Sequence, residues 1–278
     1  MMLLFATMLL STASRAAAKT AASMGCAPTD DATECAALKA IYDATDGPNW
    51  RKLTDPAGPV FKWDGSSYCT WYVGARGGAP RSRTTTPPCS LTTASARGTI
   101  HPSRRRRHGI LPPRVLSGVI CDPFTKKVSQ LYLESLQLKG TLPDAVGDFD
   151  SIVELHLWNN KMSPLNKRGG LSGTLPAAVA KLTTLNVLEI QINQMVGAPP
   201  DLSALAKNLH VLKMDKNAFN GTLPSSYCAF ASTATAPLLT DCDLGGNSFV
   251  CPLPSACAAT IASKCALNCS QVPPAPLL

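Results

Sequence analysis

The chain has 278 residues, enough for one or two domains, and its 45% hydrophobic content excludes an intrinsically disordered protein. Its formal net charge of +8 suggests a nucleic acid or an anionic surface as a partner. However, residues 73–117 contain nine of the 26 basic residues and none of the 18 acidic ones, so 17 basic and 18 acidic residues remain elsewhere. The basicity therefore belongs to one segment, and we predict no nucleic-acid partner.

Residues 1–22 have the pattern of a secretory signal peptide. An apolar run of ten residues is followed by small residues, with a cleavage site of the Ala16-Ala17-Ala18 type. No Lys or Arg precedes the run, and a buried N-terminal helix is the alternative. No other stretch has the length of a membrane span. Because 11 Cys also fit an oxidising compartment, we expect an extracellular protein, secreted to the cell surface or cell wall.

A helix is predicted from Asp31 to Thr45. Asp31 can cap its first turn, and Glu34 stands three residues later, where it would complete a capping box. The apolar positions fall on one helical face and are Cys35, Leu38, Ile41 and Tyr42. Asp46-Gly47 ends the helix, and Pro48 follows.

Three motifs around this helix resemble the N-terminal cap of plant-type leucine-rich repeat proteins. They are Asp46-Gly-Pro-Asn-Trp50, Cys69-Thr-Trp-Tyr72 and Gly118-Val-Ile-Cys-Asp122. In such caps the second and third motifs form one continuous pattern, so Tyr72 and Gly118 should be neighbours. The resemblance implies a capped solenoid, with residues 23–127 as the N-terminal cap.

Residues 73–117 interrupt that cap and are rich in Arg and Pro. The segment has no amphipathic period, so we expect it to be unstructured, and we interpret it as a translated retained intron or a gene-model error. Removing it restores the cap motif and leaves an even number of Cys. The alternatives are a disordered loop without function, a processing-protease site at Arg104–Arg107, and a localisation or nucleic-acid patch there.

Residues 128–254 repeat one pattern five times. Each copy begins at an apolar residue and matches L-x-x-L-x-L-x-x-N, the leucine-rich repeat signature. The intervals between copies are 24, 33, 24 and 30 residues, which is a period of 24 with two insertions. We assign the first insertion to residues 162–170 and regard it as the same kind of artefact. The copies begin at Val128, Ile152, Leu185, Leu209 and Leu239.

Such a repeat predicts an α/β solenoid: a horseshoe with a parallel concave β-sheet, about five 24-residue repeats and disulfide-bonded caps at both ends. The Leu-x-Leu side chains point inward, and the Asn bonds backbone groups in the bend. The class resembled includes polygalacturonase-inhibitor-like proteins and receptor-kinase ectodomains. Its mark here is the Gly-Thr-Leu-Pro tail, which begins at Gly140, Gly173 and Gly221.

The outward strand residues form columns on the concave face. Exposed aromatic side chains on a rigid sheet are typical of binding hot spots and of sugar stacking, and Tyr132, His156 and Trp158 would be adjacent. Local packing of Trp158 against the following loop is the alternative. Asp241 and Asp243 point the same way and suit a cation or a basic partner, although a solvated face is favoured. The predicted ligand-binding residues are Tyr132, Glu134, His156, Trp158, Glu189, Gln191, Lys213 and Asp215.

Residues 255–278 form a Cys-rich C-terminal cap and tail. We expect Cys69 to pair with Cys121, Cys228 with Cys242, and Cys26 with Cys35. The pairing among Cys251, Cys257, Cys265 and Cys269 stays open between three arrangements. The spacing of these last Cys is not that of a zinc site, so no metal is predicted. Asn220 and Asn268 begin N-glycosylation sequons.

No catalytic motif or cofactor loop is present in the sequence, and we predict a non-enzymatic protein without a cofactor. The main hypothesis is a secreted recognition module that binds a protein or peptide on its concave face. The alternative is a structural or adhesive wall protein that binds polysaccharide through Tyr132, His156 and Trp158. No kinase is recognisable, so any signalling role would need a membrane-bound co-receptor.

Overall fold

The computed structural model describes residues 23–50, 65–74, 115–161, 170–231, 239–250 and 252–267. They form two helices and two sheets that run along a solenoid. The helices are α1 (Ala32–Ala44) and α2 (Ala258–Lys264). The strands are β1 (Tyr72–Gly74), β2 (Val115–Cys121), β3 (Val128–Tyr132), β4 (Lys139–Thr141), β5 (Glu154–His156), β6 (Gly170–Gly173), β7 (Val187–Glu189), β8 (Gln194–Gly197), β9 (Val211–Lys213), β10 (Ala218–Thr222), β11 (Asp241–Asp243) and β12 (Ser248–Val250).

The larger sheet carries one strand from each predicted repeat. Its order is β1-β2-β3-β5-β7-β9-β11, and the strands from β3 onward are parallel. Inward residues stack in register, because Leu155 lies opposite Leu131 and Leu188, and Leu212 lies opposite Leu188 and Cys242. Their side chains are buried, so each repeat completes the core of its neighbours, as a solenoid requires. The predicted leucine-rich repeat fold with five repeats is confirmed.

A second parallel sheet lies on the other side of this core, with the order β12-β10-β8-β6-β4. The segments that return from it to the next repeat contain short 3-10 turns, at Asp144–Asp148, Ala177–Lys181, Ser203–Leu205 and Ser225–Phe230. A Pro stands immediately before three of these turns, and its fixed φ favours the backbone direction needed there. The α component of the predicted α/β solenoid is therefore confined to the two caps.

The repeat asparagines join neighbouring turns, as predicted. Asn193 is buried, and its Nδ2 donates to the carbonyl oxygens of Leu157 and Ile190, both at 2.9 Å. Its Oδ1 accepts from the backbone N–H of Asn160 at 3.1 Å. Asn160, Asn217 and Asn247 make equivalent bonds to their own and the preceding repeat. Backbone groups that leave the strands are thereby satisfied inside the core.

The N-terminal cap packs α1 against the first repeat. Asp31 caps the helix by accepting from the N–H groups of Thr33 and Glu34. The predicted capping box is wrong, because the Glu34 side chain turns inward and is 1% exposed. It accepts from the Tyr68 hydroxyl at 2.7 Å and from the Val128 N–H at 3.0 Å. Glu34 therefore links the cap to the first strand instead of closing the helix end.

The interrupting segment leaves the cap from a short antiparallel pair. β1 and β2 place Tyr72 opposite Gly118 and Gly74 opposite Val115, beside the Cys69–Cys121 disulfide. The prediction of an unstructured segment over 73–117 is wrong at both ends, because residues 73, 74 and 115–117 are strand. The disulfide and the cap core hold the two ends together, which allows them to pair. Residues 75–114 lie outside the described part of the chain.

The second interruption is also shorter than predicted. Gly170 was assigned to it, yet this residue is buried as the first residue of β6, and its N–H donates to the Leu138 carbonyl. Residues 162–169 lie outside the described residues.

The disulfides confirm two predicted pairs, Cys26–Cys35 and Cys69–Cys121. The pairing of Cys228 with Cys242 is wrong, since Cys228 bonds Cys257 and Cys242 bonds Cys265. Cys257 and Cys265 flank the two ends of α2, and a helix of this length separates them too far for a mutual bond. The expected pairing of Cys251, Cys257, Cys265 and Cys269 among themselves is therefore wrong in all three arrangements, because Cys257 and Cys265 each bond a cysteine outside that set. Cys251 and Cys269 lie outside the described residues.

Candidate functional site

The predicted ligand-binding residues come together on the open face of the larger sheet. Two columns follow the strand register. In one, Tyr132 lies opposite His156, which lies opposite Glu189, which lies opposite Lys213. The other contains, in order, Gln130, Glu154, Val187, Val211 and Asp241. A third column begins where the strands end and contains Glu134, Trp158, Gln191 and Asp215. It continues the ladder, with bonds from the Ser135 N–H to the Trp158 carbonyl and from the Ile192 N–H to the Asp215 carbonyl.

A stacked pair of rings lies at the N-terminal end of this face. The rings of Tyr132 and His156 are 4.5 Å apart and nearly parallel, at 8°. His156 Nδ1 lies 2.8 Å from Glu189 Oε2, and His156 Nε2 lies 3.1 Å from Glu154 Oε2. The Tyr132 hydroxyl donates to the same Glu154 oxygen at 2.7 Å. The ring faces therefore contact each other, and both ring nitrogens of His156 are engaged.

The charges of His156 and its two carboxylate partners stabilise one another. Burial disfavours the charged imidazole, but the hydrogen bonds that it donates to Glu154 and Glu189 outweigh the effect of burial and raise the pKa of His156 to about 9. The bond from His156 in turn lowers the pKa of Glu154. His156 is therefore protonated at neutral pH and forms a charge-assisted link between β5 and β7.

A cleft of about 420 Å³ lies beside this pair, toward the C-terminal repeats. It is of the size that binds small ligands or single side chains of a larger ligand. Five predicted residues line it: Trp158, Glu189, Gln191, Lys213 and Asp215. Asp241 and Asp243, which the sequence suggests for a cation or a basic partner, also line it. The other lining residues were not predicted and are Ile192, Lys216 and Cys242.

The floor of the cleft carries a buried carboxylate. Asp215 is 5% exposed, and its partner among the ion pairs is Lys216, at 3.1 Å, whose side chain is 66% exposed. Lys213, in the neighbouring column, is paired with Asp241 at 2.7 Å. Asp243 accepts from the Gly245 N–H at 2.9 Å and has no cationic partner within 4.0 Å among the described residues.

Two acceptors on either side of Trp158 lack a donor. Glu134 Oε2 and Gln191 Oε1 are buried and have no hydrogen-bond partner in the described part of the chain. Burial raises the pKa of Glu134. Since a buried acceptor without a donor costs free energy, both atoms would gain from an incoming N–H group.

Comparison with known proteins agrees with the repeat geometry. No protein-family model matches the chain. It is 37% identical over 152 residues to Receptor-like protein 39 of Arabidopsis thaliana, covering 48% of this chain and 16% of that protein. It is 32% identical over 112 residues to Receptor-like protein 18 of the same plant, covering 40% of this chain and 12% of that protein. The chain thus spans less than a fifth of the length of either relative.

The chain has a leucine-rich repeat fold and is similar over part of its length to plant receptor-like proteins. Solved structures that resemble it include the ectodomain of the Arabidopsis thaliana receptor kinase GASSHO1/SCHENGEN3, at 28% identity and a TM-score of 0.43, covering 50% of this chain and 15% of that one. Another is the ectodomain of the Arabidopsis thaliana receptor kinase SOBIR1, at 22% identity and a TM-score of 0.40, covering 62% of this chain and 80% of that one.

Two of the cleft residues that were not predicted occupy a special backbone position. Ile192 and Lys216 both follow the third column and have left-handed φ angles of 57° and 53°. Ser135, Asn159 and Gly246 hold the same position and conformation in the other repeats. Gly and Asn favour this conformation, so Asn159 and Gly246 were the available signal that the chain bends here. The side chains of Ile192 and Lys216, which stand at this bend, line the cleft.

The structure also places the predicted glycosylation site and the cysteines of the C-terminal cap. Asn220 and Thr222, which define the first sequon, are both exposed on β10, and Asn268 lies outside the described residues. Cys257 and Cys265 are in disulfides, which removes them as zinc ligands. Within the described residues, no cluster of three or more His, Cys, Asp or Glu could hold a metal. No described helix combines the length and apolar character needed to cross a membrane.

Proposed function

We propose that this leucine-rich repeat protein is an extracellular, non-enzymatic recognition module that binds a protein or peptide on its concave face. The observation that supports this most is the continuous alignment of side chains from successive repeats around a cleft of about 420 Å³. Trp158, in the wall of the cleft, is partly exposed. An aromatic side chain surrounded by polar groups on rigid strands is typical of a binding hot spot.

Polysaccharide binding has weaker support. Stacking on sugar rings requires free aromatic faces, whereas the rings of Tyr132 and His156 cover one another and the His156 side chain is 13% exposed. Trp158 is partly exposed and lines the cleft without stacking on either ring. A polar cleft with one aromatic wall fits a peptide side chain better than a row of sugars.

The test is capture of secreted proteins and peptides by the purified full chain, with a glycan array in parallel. We expect Trp158→Ala to weaken binding of a captured partner by about tenfold or more, roughly 1.4 kcal/mol. Phe124→Ala is the matched control, because Phe124 is 92% exposed in the turn between β2 and β3, outside the cleft. Binding to glycans alone, or partners equally sensitive to both variants, would show the proposal to be wrong.

A further inference from the structure

The concave face is acidic, although the chain as a whole is basic. In the columns and the cleft the acidic residues are Glu134, Glu154, Glu189, Asp215, Asp241 and Asp243, whereas the basic ones are His156, Lys213 and Lys216. His156 is held between two of the carboxylates, and Lys213 is paired with Asp241. Asp243 has no cationic partner within 4.0 Å among the described residues, and Asp215 has only Lys216, so the negative charge around these two carboxylates favours a cationic ligand group.

Asp215 is the strongest anchor for such a group. A carboxylate that is 95% buried needs a close cationic partner, and here that partner is the largely exposed Lys216. Exposed ion pairs contribute little because water screens them and the long side chain loses freedom. A ligand cation that enters the cleft can therefore replace Lys216 and make a drier, stronger bond to Asp215.

Two further groups determine which cation fits. Gln191 lines the same cleft, and its buried Oε1 has no donor among the described residues. Trp158 forms a wall of the cleft and offers an aromatic surface. An ammonium group can satisfy the carboxylate, but a planar guanidinium can also stack on an indole and still has N–H groups left for an amide oxygen.

Building on the proposed function, we propose that the cleft between Trp158 and Asp215 is a subsite for an arginine side chain of a peptide ligand. The guanidinium donates to the Asp215 carboxylate and lies against Trp158. Rotation of the Gln191 side chain toward the cleft brings its Oε1, which has no donor among the described residues, to the remaining N–H groups. Lys216 acts as an internal competitor that neutralises Asp215 until the ligand arrives. The subsite thus selects peptides with an arginine at the position that faces the fourth repeat.

The test uses two probes, N-acetyl-arginine methylamide and the neutral N-acetyl-citrulline methylamide of nearly the same shape. The full chain is labelled with ¹⁵N, and the Trp158 indole N–H resonance, assigned with Trp158→Phe, is followed during titration. We expect a saturable shift with the arginine probe and binding at least about tenfold weaker with citrulline, because only the first makes charge-assisted bonds. Similar shifts with both probes, or none with arginine, would overturn the proposal.

Two variants of opposite effect sharpen the test. Asp215→Asn should weaken arginine binding by about tenfold, whereas Lys216→Met should strengthen it by removing the competitor. Asp148→Asn is the matched control, since Asp148 is an exposed carboxylate on a 3-10 turn outside the cleft. Unchanged binding by Asp215→Asn, with native near-ultraviolet circular dichroism, would also refute the subsite.

The outcome is separable from that of the proposed function. A captured partner that depends on Trp158 but is insensitive to Asp215→Asn and to loss of its arginines would refute the subsite and leave the recognition function intact. If no protein or peptide partner depends on Trp158, the proposed function itself fails.

Discussion

At the scale of single residues, the sequence predicted which side chains share the concave face but not how they contact one another. The repeat register alone places Tyr132, His156 and Trp158 near each other, because the side-chain period of a strand is two. The structure separates them: Tyr132 and His156 stack, while Trp158 lines the cleft. The separation depends on the carboxylates of Glu154 and Glu189, which bind both His156 nitrogens. No periodic pattern encodes such rotamer choices.

His156 gives a prediction for the dependence of stability on pH. Its pKa is about 9 in the folded chain, above the ordinary 6.5, so folding favours the protonated form. The stabilisation is complete below about pH 6.5 and is lost as the pH rises through about 9, a change of roughly 3 kcal/mol. Urea unfolding of the native chain at pH 6.0, 7.5 and 9.5 should show this loss.

The control for this prediction is His156→Gln, which keeps a polar side chain but does not titrate. The difference in unfolding free energy between the two chains should be largest at pH 6.0 and shrink toward pH 9.5. A difference that stays constant with pH would mean that the Glu154 and Glu189 bonds do not hold a proton on His156.

At the scale of elements, the sequence predicted where the two caps lie more accurately than it predicted the bonds inside them. The helix near the N-terminus begins and ends within one residue of its prediction, since Asp31 caps it and Asp46-Gly47 ends it. The pattern that suggested a capping box was misleading, because the Glu34 carboxylate instead accepts hydrogen bonds from the Tyr68 hydroxyl and the Val128 N–H. A local hydrogen-bond motif does not form when a buried tertiary bond uses the same side chain.

The C-terminal cap gives a prediction about disulfides. Peptide mapping of the non-reduced protein should recover Cys228 linked to Cys257 and Cys242 linked to Cys265. Replacing Cys242 and Cys265 together by Ser should lower the free energy of unfolding by about 3 kcal/mol, because the bond closes a loop of moderate length and covers the edge of the last strand. Recovery of a Cys228–Cys242 peptide would contradict the arrangement.

The matched comparison is the double replacement of Cys26 and Cys35, whose bond joins residues only nine apart in sequence. Because this bond closes a shorter loop, its removal should lower the free energy of unfolding by less. Both variants should keep the hydrogen bonds of the central repeats, which hydrogen exchange can verify at Asn193.

At the scale of the whole molecule, the solenoid could be predicted because one residue pattern recurs along the chain and each repeat packs only on its neighbours. Every repeat needs the same apolar residues at the same spacing, so five imperfect copies reinforce one another. The second sheet was not predicted, since its strands are read from short segments such as Lys139–Thr141 that have no apolar alternation of their own. The cleft was not predicted either, because it results from the bend at Ile192 and Lys216 together with side-chain packing.

The segment between β1 and β2 gives the last prediction. Gly74 and Val115 lie opposite each other in the antiparallel pair, so a two-residue Asn-Gly turn can replace residues 75–114. The variant loses nine Arg and changes the formal net charge from +8 to −1. We expect unfolding at the same urea concentration as the full chain, because the cap core and the Cys69–Cys121 bond remain.

Binding measurements on the same variant determine what the basic segment contributes. The full chain should bind heparin and duplex DNA weakly and release them at moderate salt, as a cluster of arginines does, whereas the shortened chain should bind neither. Partner binding at the concave face should be unchanged, because Trp158 and Asp215 belong to the repeats and not to the cap. If the shortened chain unfolds at lower urea or loses the peptide partner, residues 75–114 are part of the working protein, and the retained-intron interpretation is wrong.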